Sequence, residues 1–435
     1  KESAVCMPMN PAQPVTRTGA SAAMIKARTE QTAAGGAWRN SCPPSLAAPG
    51  VAFHGIIAAQ VEHARILRVP PGLLAARPAS GGRRNGRAGP RQARILPLGG
   101  TARSAQGAPV SAILVVRPSS LGDIVHALTL VADVRAHRPD LAIDWVAETG
   151  FVPLVELHPG VRRVVPVALR HWRHHPFAVS TWREFASFRR ALRREEYAAV
   201  LDLQEQIKGA LIARMARGVR HGGDRASIRE PLASFAHDVH HAIDPKQHFI
   251  ARCRQLAAAA LGYRAEGPPR FGLVPPPPAT GAVPDRPFVV FVHGTSRPDK
   301  LWPDAHWRRL VETFAASGFA VIVPWGSETE RSRSERYAAG VANVHVPPPP
   351  RQTLPALAGL LARAKLAVGV DTGLVHLAAA LGTPTVSLFV ATDPLRCGVG
   401  VAGPHARDLG GVGSMPTPEA VERAAGELMR CAPHC

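Results

Sequence analysis

Acidic residues are scarce in this 435-residue chain. It holds 32 Asp and Glu against 52 Lys and Arg, a formal net charge of +20 at pH 7. An excess of this size points to an anionic partner such as a phosphate, a nucleic acid or an acidic lipid surface. The charge is uneven, because residues 1–110 carry 14 Lys and Arg against 3 Asp and Glu, which leaves 38 against 29 for residues 111–435. The first 110 residues are therefore unlike the rest of the chain.

Long apolar runs and paired cysteines are also missing. No run reaches the ~18 apolar residues that a membrane-spanning helix needs, so no such helix is predicted in this sequence. The six cysteines include no C-x-x-C pair and no spacing typical of a disulfide framework, so a reducing, cytosolic compartment is predicted. Cys431 and Cys435 in the tail lack a second cluster that would complete a metal site, and no metal site is predicted.

Sustained apolar periodicity is absent from residues 1–110, which are rich in Ala, Gly, Pro and Arg. Such a composition predicts a disordered, basic, low-complexity extension. A targeting peptide is one interpretation, although its nearest apolar core, residues 51–61, lies far from the start. A nucleic-acid-binding arm is a second, although interleaved aromatic residues are lacking. The third is non-native upstream sequence, which the abrupt start of a well-formed strand at Ile113 favours.

From residue 111 onwards, apolar strands alternate with amphipathic helices. This alternation predicts an α/β fold with parallel sheets covered on both faces. A Pro-rich stretch then forms a stiff linker, after which the pattern restarts. We therefore predict two Rossmann-like, doubly wound domains. The predicted bounds are 111–275 for the first domain, 276–287 for the linker, 288–416 for the second domain and 417–435 for a C-terminal helix and tail.

The segment that runs from Asp371 to His376 (DTGLVH) follows a short apolar run at 366–370. It should form a strand-to-helix turn at the carboxyl edge of a sheet, where ligands of open α/β folds bind. Thr372 can cap the helix, Gly373 lets a ligand approach the backbone, and the amides of the turn favour an anion such as phosphate. The alternative is structural: Asp371 caps the helix and His376 packs inside.

A second loop of this half follows the strand at 288–292 and contains Thr295, Ser296 and Lys300. Hydroxyl and amide donors beside a point charge suit a diphosphate, although the loop is not a Walker A motif. The alternative is a polar surface loop. Because this loop and the segment 371–376 should converge on one crevice, a ligand site is favoured.

A third strand end carries Trp325, Gly326 and Glu330. A carboxylate in this position can accept hydrogen bonds from ribose hydroxyls, and Trp325 can lie near a base. The alternative for Glu330 is an ordinary acidic residue in the first turn of a helix. The convergence of three such strand ends predicts a nucleotide site in the second half.

In the first half, Asp123 lies just after the first strand, in the turn SSLGD at 119–123. Gly122 permits a tight turn there. A carboxylate at this edge of the sheet lies where a general base would be placed. The alternative is that Asp123 only complements the dipole of the following helix.

Basic residues of the first half form a second candidate surface. Residues 168–175 (ALRHWRHH) include Arg170 and Arg173 without a neutralising acid, and Lys208 and Arg229 follow later in the chain. A charge run is commonly only a solvated face. An acidic sugar or a phosphorylated lipid at a membrane surface would also suit these cations.

Residues 113–430 resemble the ADP-heptose:lipopolysaccharide heptosyltransferases of glycosyltransferase family 9. The resemblance is stronger to heptosyltransferase I, which acts on Kdo₂-lipid A, than to heptosyltransferase II. The segments that carry it are SSLGD at 119–123, DWVAE at 144–148, the basic run at 170–173, REPLAS at 229–234, HGTSRPDK at 293–300, PWG at 324–326, DTGLVH at 371–376 and TDP at 392–394.

This resemblance implies a GT-B fold and metal-independent, inverting transfer of L-glycero-D-manno-heptose from ADP-L-glycero-β-D-manno-heptose to the first Kdo of Kdo₂-lipid A. It implies no cofactor, no nucleic-acid partner, and a cytoplasmic enzyme in peripheral contact with the cytoplasmic face of the inner membrane. The first domain would bind the acceptor and the second the nucleotide sugar. Asp123 matches the catalytic base and Lys300 the diphosphate-binding lysine.

The resemblance also assigns further residues to the two substrates. The implied donor-binding residues are Thr295, Ser296, Lys300, Trp325, Gly326, Glu330, Asp371, Thr372, Gly373, Leu374 and His376. The implied acceptor-binding residues are Ser120, Gly122, Arg170, Arg173, Lys208 and Arg229.

The chain departs from the family pattern at three places, which concern the acceptor loop and nearby phosphate contacts. Glu205 replaces a glycine, Gly209 replaces a serine, and Val390 and Ala391 replace Gly-Pro before Thr392. Two other interpretations stay open: a related transferase with another donor or acceptor, and a non-catalytic protein that binds nucleotides or nucleic acid.

Overall fold

A computed structural model describes residues 111–277, 284 and 286–431 of the chain. Our predictions for residues 1–110, for most of the linker 276–287 and for residues 432–435 lie outside the described residues. The domain bounds themselves stay predictions.

The first half contains six strands and six α-helices within residues 111–277. The strands are β1 (Ala112–Val116), β2 (Ala142–Glu148), β3 (Arg163–Val167), β4 (Glu196–Asp202), β5 (Arg217–Gly223) and β6 (Val239–His241). The helices are α1 (Leu121–His137), α2 (Val152–Val155), α3 (Leu169–His174), α4 (Val179–Leu192), α5 (Ile207–Met215) and α6 (Phe249–Leu261). The strands form one parallel sheet in the order β3-β2-β1-β4-β5-β6. All five residues of β1 (AILVV) are buried, as expected for a central strand covered on both faces.

The second half repeats this plan within residues 286–431. Its strands are β7 (Phe288–Val292), β8 (Ala320–Ile322), β9 (Val344–His345), β10 (Leu366–Val370), β11 (Thr385–Phe389) and β12 (Ala406–Gly410). Its helices are α7 (Asp304–Ala316), α8 (Glu328–Ala338), α9 (Leu354–Arg363), α10 (Gly373–Ala380), α11 (Pro394–Cys397) and α12 (Pro418–Cys431). The parallel sheet has the order β12-β11-β10-β7-β8-β9. The doubly wound arrangement predicted for both halves is confirmed.

One apolar cluster joins the two halves. It includes Ile124 and Leu128 of α1 together with Val375 and Leu377 of α10, all fully buried. Each side chain of this kind contributes ~1.5–3 kcal/mol when it leaves water. Packing α1 against α10 brings the carboxyl ends of β1 and β10 opposite each other, and these ends carry the candidate site.

The structure differs from our sequence predictions mainly at strands away from the sheet centres and at helix ends. We did not predict β5, β6, β9 or β12, because their sequences (for example RGVRHGG in β5) lack an apolar run. α6 begins at Phe249, where His248 Nδ1 accepts a hydrogen bond of 3.2 Å from the Ile250 N–H and caps the helix. α4 ends at Leu192, and residue 196 already belongs to β4.

Candidate active site

The first turns of α1 and α10 touch each other through two glycines. A Cβ atom on Gly122 would lie 2.7 Å from His376 Cδ2 and 3.5 Å from Gly373 Cα, while a Cβ on Gly373 would lie 2.4 Å from Leu121 Cδ2. Side chains other than hydrogen therefore cannot be placed there without displacing the facing turn. The two predicted strand-to-helix turns, at residues 119–123 and 371–376, therefore lie in direct contact.

Asp123 is held at this contact by its own half. Its Oδ2 accepts hydrogen bonds from the Ser120 backbone N–H at 3.1 Å and from the Ser120 hydroxyl at 2.8 Å, and it pairs with Arg117 Nη2 at 2.5 Å. Burial raises the pKa of the Asp123 carboxyl, but the Arg117 charge and the Ser120 hydrogen bonds outweigh burial and hold that pKa below its ordinary value. The side chain is still 33% exposed. Asp123 thus caps its helix and also offers an ionised carboxylate to solvent.

Arg117 lies beneath Asp123 and was not singled out in the sequence. Its side chain is buried, its Nη1 donates to the Leu203 carbonyl oxygen at 2.5 Å, and its guanidinium lies 4.6 Å from the centre of the Phe249 ring. These contacts fix the cation that keeps Asp123 charged. The only sequence signal was its place at the end of β1.

Asp371 organises the facing turn. Its Oδ2 accepts hydrogen bonds from Lys300 Nζ at 2.6 Å and from the Thr392 hydroxyl at 2.7 Å, and its Oδ1 lies 3.3 Å from His376 Nε2. Burial raises the pKa of Asp371, but His376, Lys300 and Thr392 together lower it below its ordinary value. The carboxylate orients a lysine, a threonine and a histidine. Thr372 occupies the N-cap position of α10, but its side chain makes no capping hydrogen bond, so the capping role we expected is wrong.

A pair of histidines links the two turns across the contact. His126, one turn after Asp123 in α1, has its Nε2 3.2 Å from His376 Nδ1. Burial, followed by the neighbouring His376 and His248, lowers the pKa of His126 well below its ordinary value, so His126 is neutral at pH 7. Since Asp371 is a carboxylate, His376 donates from Nε2 to it.

Two adjoining cavities open on this contact, with volumes of about 920 Å³ and 1100 Å³. Thirteen predicted residues line the smaller one: Ser120, Gly122, Asp123, Arg170, Arg229, Thr295, Ser296, Lys300, Asp371, Thr372, Gly373, Leu374 and His376. Asp123 and Lys300, one from each half, therefore face the same space. The larger cavity shares Leu121, Phe151 and Arg170 with the smaller one, so the two form one crevice between the halves.

The larger cavity contains the third predicted strand end, with Trp325, Gly326 and Glu330 in its lining. Glu330 Oε2 accepts the Gly326 N–H at 2.6 Å, and a Cβ on Gly294 would lie 2.6 Å from the Glu330 carboxylate carbon. The Trp325 indole is largely buried and its Nε1 donates to the Pro347 carbonyl oxygen at 2.7 Å. Glu330 therefore closes one end of the crevice, and its carboxylate faces the backbone of the Thr295 loop.

The predicted basic residues divide into two groups. Arg170 and Arg229 line the crevice. Lys208 lies behind the first turn, where its Nζ donates to the Ser119 hydroxyl at 3.2 Å; burial and the Arg117 charge lower its pKa. Arg173 is exposed on α3 and is not among the residues lining either cavity.

The family model described as "Glycosyltransferase family 9 (heptosyltransferase)" matches residues 185–432. The chain belongs to glycosyltransferase family 9. This family 9 enzyme is 41% identical over 289 residues to lipopolysaccharide heptosyltransferase 1 of Escherichia coli K12, a match that covers 65% of this chain and 88% of that protein.

Solved structures agree with this assignment. The E. coli heptosyltransferase WaaC with ADP is 37% identical, has a TM-score of 0.67, and is matched over 73% of this chain and 99% of its own. The form with ADP-2-deoxy-2-fluoro heptose has a TM-score of 0.64 over the same shares. The predicted GT-B fold is confirmed, and the family 9 enzyme is a lipopolysaccharide heptosyltransferase.

Two of the departures from the family pattern have a visible basis in this transferase. Glu205, in the place of a glycine, has φ of 59°, in the left-handed region that favours glycine. Its carboxylate pairs with Arg252 at 2.5 Å, which offsets that strain. A Cβ on Gly209 would lie 2.3 Å from Gln204 Cβ, so a serine does not fit the present packing. Nothing in the structure explains Val390 and Ala391.

A G-x-G-x-x-G run at 398–403 does not form a dinucleotide site. It follows α11 instead of a strand, and the N–H groups of Val399 and Gly400 donate to Asp408 at 2.8 and 2.9 Å. Those amides are therefore occupied by a carboxylate of the protein itself.

Among residues 111–277, 284 and 286–431, no group of three or more His, Cys, Asp or Glu is arranged to hold a metal ion. In the same part of the chain, no helix is both long and apolar enough to cross a bilayer.

Proposed function

We propose that this enzyme transfers L-glycero-D-manno-heptose from ADP-L-glycero-β-D-manno-heptose to the first Kdo residue of Kdo₂-lipid A, with inversion at the anomeric carbon. The observation that carries the proposal is that Asp123 and Lys300 line one cavity from opposite halves. The names of the related proteins, a lipopolysaccharide heptosyltransferase 1 and a WaaC form with ADP-2-deoxy-2-fluoro heptose, support an ADP-heptose donor and an acceptor on the way to lipopolysaccharide.

In this proposal the donor diphosphate lies beside Lys300 and the first turn of α10. An ammonium group has three N–H donors, and Asp371 takes one of them, so the lysine is oriented while two donors face the ligand. The first amides of a helix have no intrahelical partner and favour an anion. The adenosine extends into the larger cavity, where Glu330 accepts from ribose hydroxyls.

Asp123 acts as the general base. It removes the proton of a Kdo hydroxyl as that oxygen attacks the anomeric carbon, and the bond from that carbon to the diphosphate oxygen breaks on the opposite face. ADP leaves with the bonding pair, and Lys300 and the α10 amides stabilise its charge. Because the donor is a β-glycoside, inversion gives an α linkage. Arg170 and Arg229 face the same cavity and would hold the acidic acceptor.

The acceptor is a membrane lipid, so we place the enzyme in the cytoplasm, in peripheral contact with the cytoplasmic face of the inner membrane. The basic residues of the first half support this location.

Substrate competition tests the proposal. Purified enzyme is given ADP-heptose, ADP-mannose and a set of UDP-sugars, each with Kdo₂-lipid A or with its heptosylated product as acceptor. We expect turnover with ADP-heptose and Kdo₂-lipid A, and an α-linked product by NMR. Preference for a UDP-sugar, or for the already heptosylated acceptor, would overturn the assignment of donor or acceptor respectively.

A further inference from the structure

Besides single exposed valines such as Val219 and Val274, the first half exposes two groups of large apolar side chains that include aromatic residues and that the transfer reaction does not use. One group follows α3 and comprises Phe177, 84% exposed, Val179 and Trp182. We call it the α3–α4 tip. The other comprises Leu232 and Phe235, 67% exposed, in the 3-10 helix Pro231–Ala236. We call it the 231–236 tip.

The α3–α4 tip stands on a packed aromatic base. Trp172 is buried, and its ring centre lies 5.7 Å from those of Phe185 and Phe188. The Trp172 Nε1 donates to Glu184 at 2.9 Å, and the Trp182 ring lies 6.4 Å from Phe185. The exposed side chains are therefore presented by a packed support, and grouped exposed apolar residues of this kind mark interaction sites.

The 231–236 tip has a similar construction. Its inner residues Ala233 and Ser234 are buried, and His240 Nε2 lies 2.9 Å from the Ser234 carbonyl oxygen. Leu232 and Phe235 point the other way, and the Arg225 guanidinium lies 5.4 Å from the centre of the Phe235 ring. A cation and an aromatic ring thus share this surface.

The two tips flank the opening of the active-site crevice. They follow β3 and β5, whose carboxyl ends lie on the same edge of one parallel sheet. Arg170, just before the first tip, and Arg229, just before the second, both line the cavity of about 920 Å³. A partner that contacts both tips therefore lies across the mouth through which the acceptor enters.

The positive charge around the α3–α4 tip indicates an anionic partner. Residues 169–183 contain Arg170, Arg173 and Arg183 and no Asp or Glu. Exposed Phe, Trp and Leu next to arginines suit the interface of an anionic bilayer, because rings enter the acyl boundary while guanidinium groups bind lipid phosphates. A protein across both tips would block the mouth, whereas a bilayer presents its lipids there.

We propose that the α3–α4 tip and the 231–236 tip together dock this enzyme on an anionic lipid bilayer. The orientation of the docked enzyme rests on the proposed function. With both tips on the bilayer, a lipid acceptor reaches the crevice without leaving the membrane. It also gives a role to Arg173, which lies outside the crevice.

Acceptor-free vesicles test docking separately from catalysis. The full chain is sedimented with vesicles of phosphatidylethanolamine and phosphatidylglycerol, and with phosphatidylcholine vesicles. The variants are Phe177→Ser/Trp182→Ser and Leu232→Ser/Phe235→Ser. The control, Val412→Ser/Met415→Ser, removes exposed apolar side chains of the second half; Val412 is 74% exposed. Every variant carries the same residues 1–110, so any binding by that segment is common to all.

We expect each tip variant to lose about tenfold in affinity for the anionic vesicles, with the control unchanged. Turnover should fall with acceptor in vesicles and stay unchanged with a deacylated, water-soluble acceptor. Quenching of tryptophan fluorescence by brominated lipids should decrease in Trp182→Phe, a variant that keeps the packing of the tip.

Three results would overturn docking: tip variants that bind vesicles like wild type, a control that loses as much, or a tip variant whose only change is in oligomeric state. The last would make this surface a contact between copies. Failure of the proposed function would give a different result. The wild-type enzyme would be inactive toward ADP-heptose but would still bind vesicles.

Discussion

Asp123 and Asp371 follow central strands of the two sheets and meet at one contact, yet they are held differently. Asp123 keeps a third of its side chain in solvent, and its recorded partners are Arg117 and Ser120 from its own half. Asp371 is 6% exposed and is shared by Lys300, Thr392 and His376. Both carboxylates are kept ionised, since partners lower the pKa of each against the effect of burial.

This difference distinguishes a reacting group from a support. A general base must reach a substrate proton, so it needs exposed oxygen and a fixed direction, which Asp123 has. A carboxylate with three partners and little exposure acts by orienting those partners, as Asp371 orients Lys300. The variants below test this division of roles.

Asp123→Asn should give the largest effect. The amide keeps the shape of the side chain but cannot take the proton, so kcat should fall ~10²–10⁴-fold. The affinity for ADP, measured by calorimetry, should stay near wild type because Lys300 and α10 are untouched. Asp140→Asn in the same half, an exposed residue paired with Arg138, is the matched control. Turnover within a few-fold of wild type would remove Asp123 from the role of base.

Lys300→Gln should follow, with a loss of ~10²–10³-fold in kcat/KM, because a fixed charge beside the departing diphosphate is lost. Unlike Asp123→Asn, it should also weaken ADP binding. Asp371→Asn should act through the same lysine, so the double variant should lose much less than the sum of the two single losses. Additive losses would mean that Asp371 has an independent role. Lys365→Gln, at an exposed lysine of the same half, is the control.

Gly122→Ala tests whether the two turns must stay in contact. The new methyl group would lie 2.7 Å from His376 Cδ2, which forces the turns apart or displaces the histidine. Since a displacement of about 1 Å can cost ~10²-fold, we expect kcat/KM to fall ~10- to 100-fold. Gly150→Ala is the control, because a Cβ there meets nothing within 4 Å. Equal activity of the two variants would show that the contact is dispensable.

Local sequence pattern predicted where these two turns lie but not which partners hold their carboxylates. The strand Leu366–Val370 is apolar throughout, so the position of Asp371, Thr372 and Gly373 at a sheet edge followed from local pattern alone. The partners of the two carboxylates could not be predicted from local pattern. Arg117 reaches the Leu203 carbonyl 86 residues away, and His126 meets His376 250 residues away. Nothing in a helical periodicity indicates which polar residue of a buried face will find a partner in the other half.

The acceptor side was predicted least well, for a related reason. Arg229 lies in an irregular segment after β5, a strand without an apolar run, and Arg170 lies in the short helix α3. Arg173, on the same helix as Arg170, is exposed and is not among the residues that line the crevice. Composition therefore located the basic surface but could not separate the residues that line the crevice from those that surround it.

Replacing Arg117 should have the smallest effect on the rate at neutral pH, and its main effect should appear in the pH dependence. The lowered pKa of Asp123 means that its charge stabilises the fold above the ordinary carboxyl pKa of 3.8, and that this contribution is lost as pH falls through the still lower folded value. In Arg117→Gln the lowering charge is gone while burial, which raises the pKa, remains. The acid limb of kcat/KM should therefore move to higher pH.

Arg117→Lys keeps a positive charge and should leave the acid limb closer to wild type. Arg138→Gln, which removes the partner of exposed Asp140, should not move it. The measurement is the pH profile of kcat/KM for these three variants and wild type, confined to pH values at which each remains folded by circular dichroism. An unchanged limb in Arg117→Gln would mean that Ser120 alone keeps Asp123 charged, and that the two carboxylates differ only in their exposure.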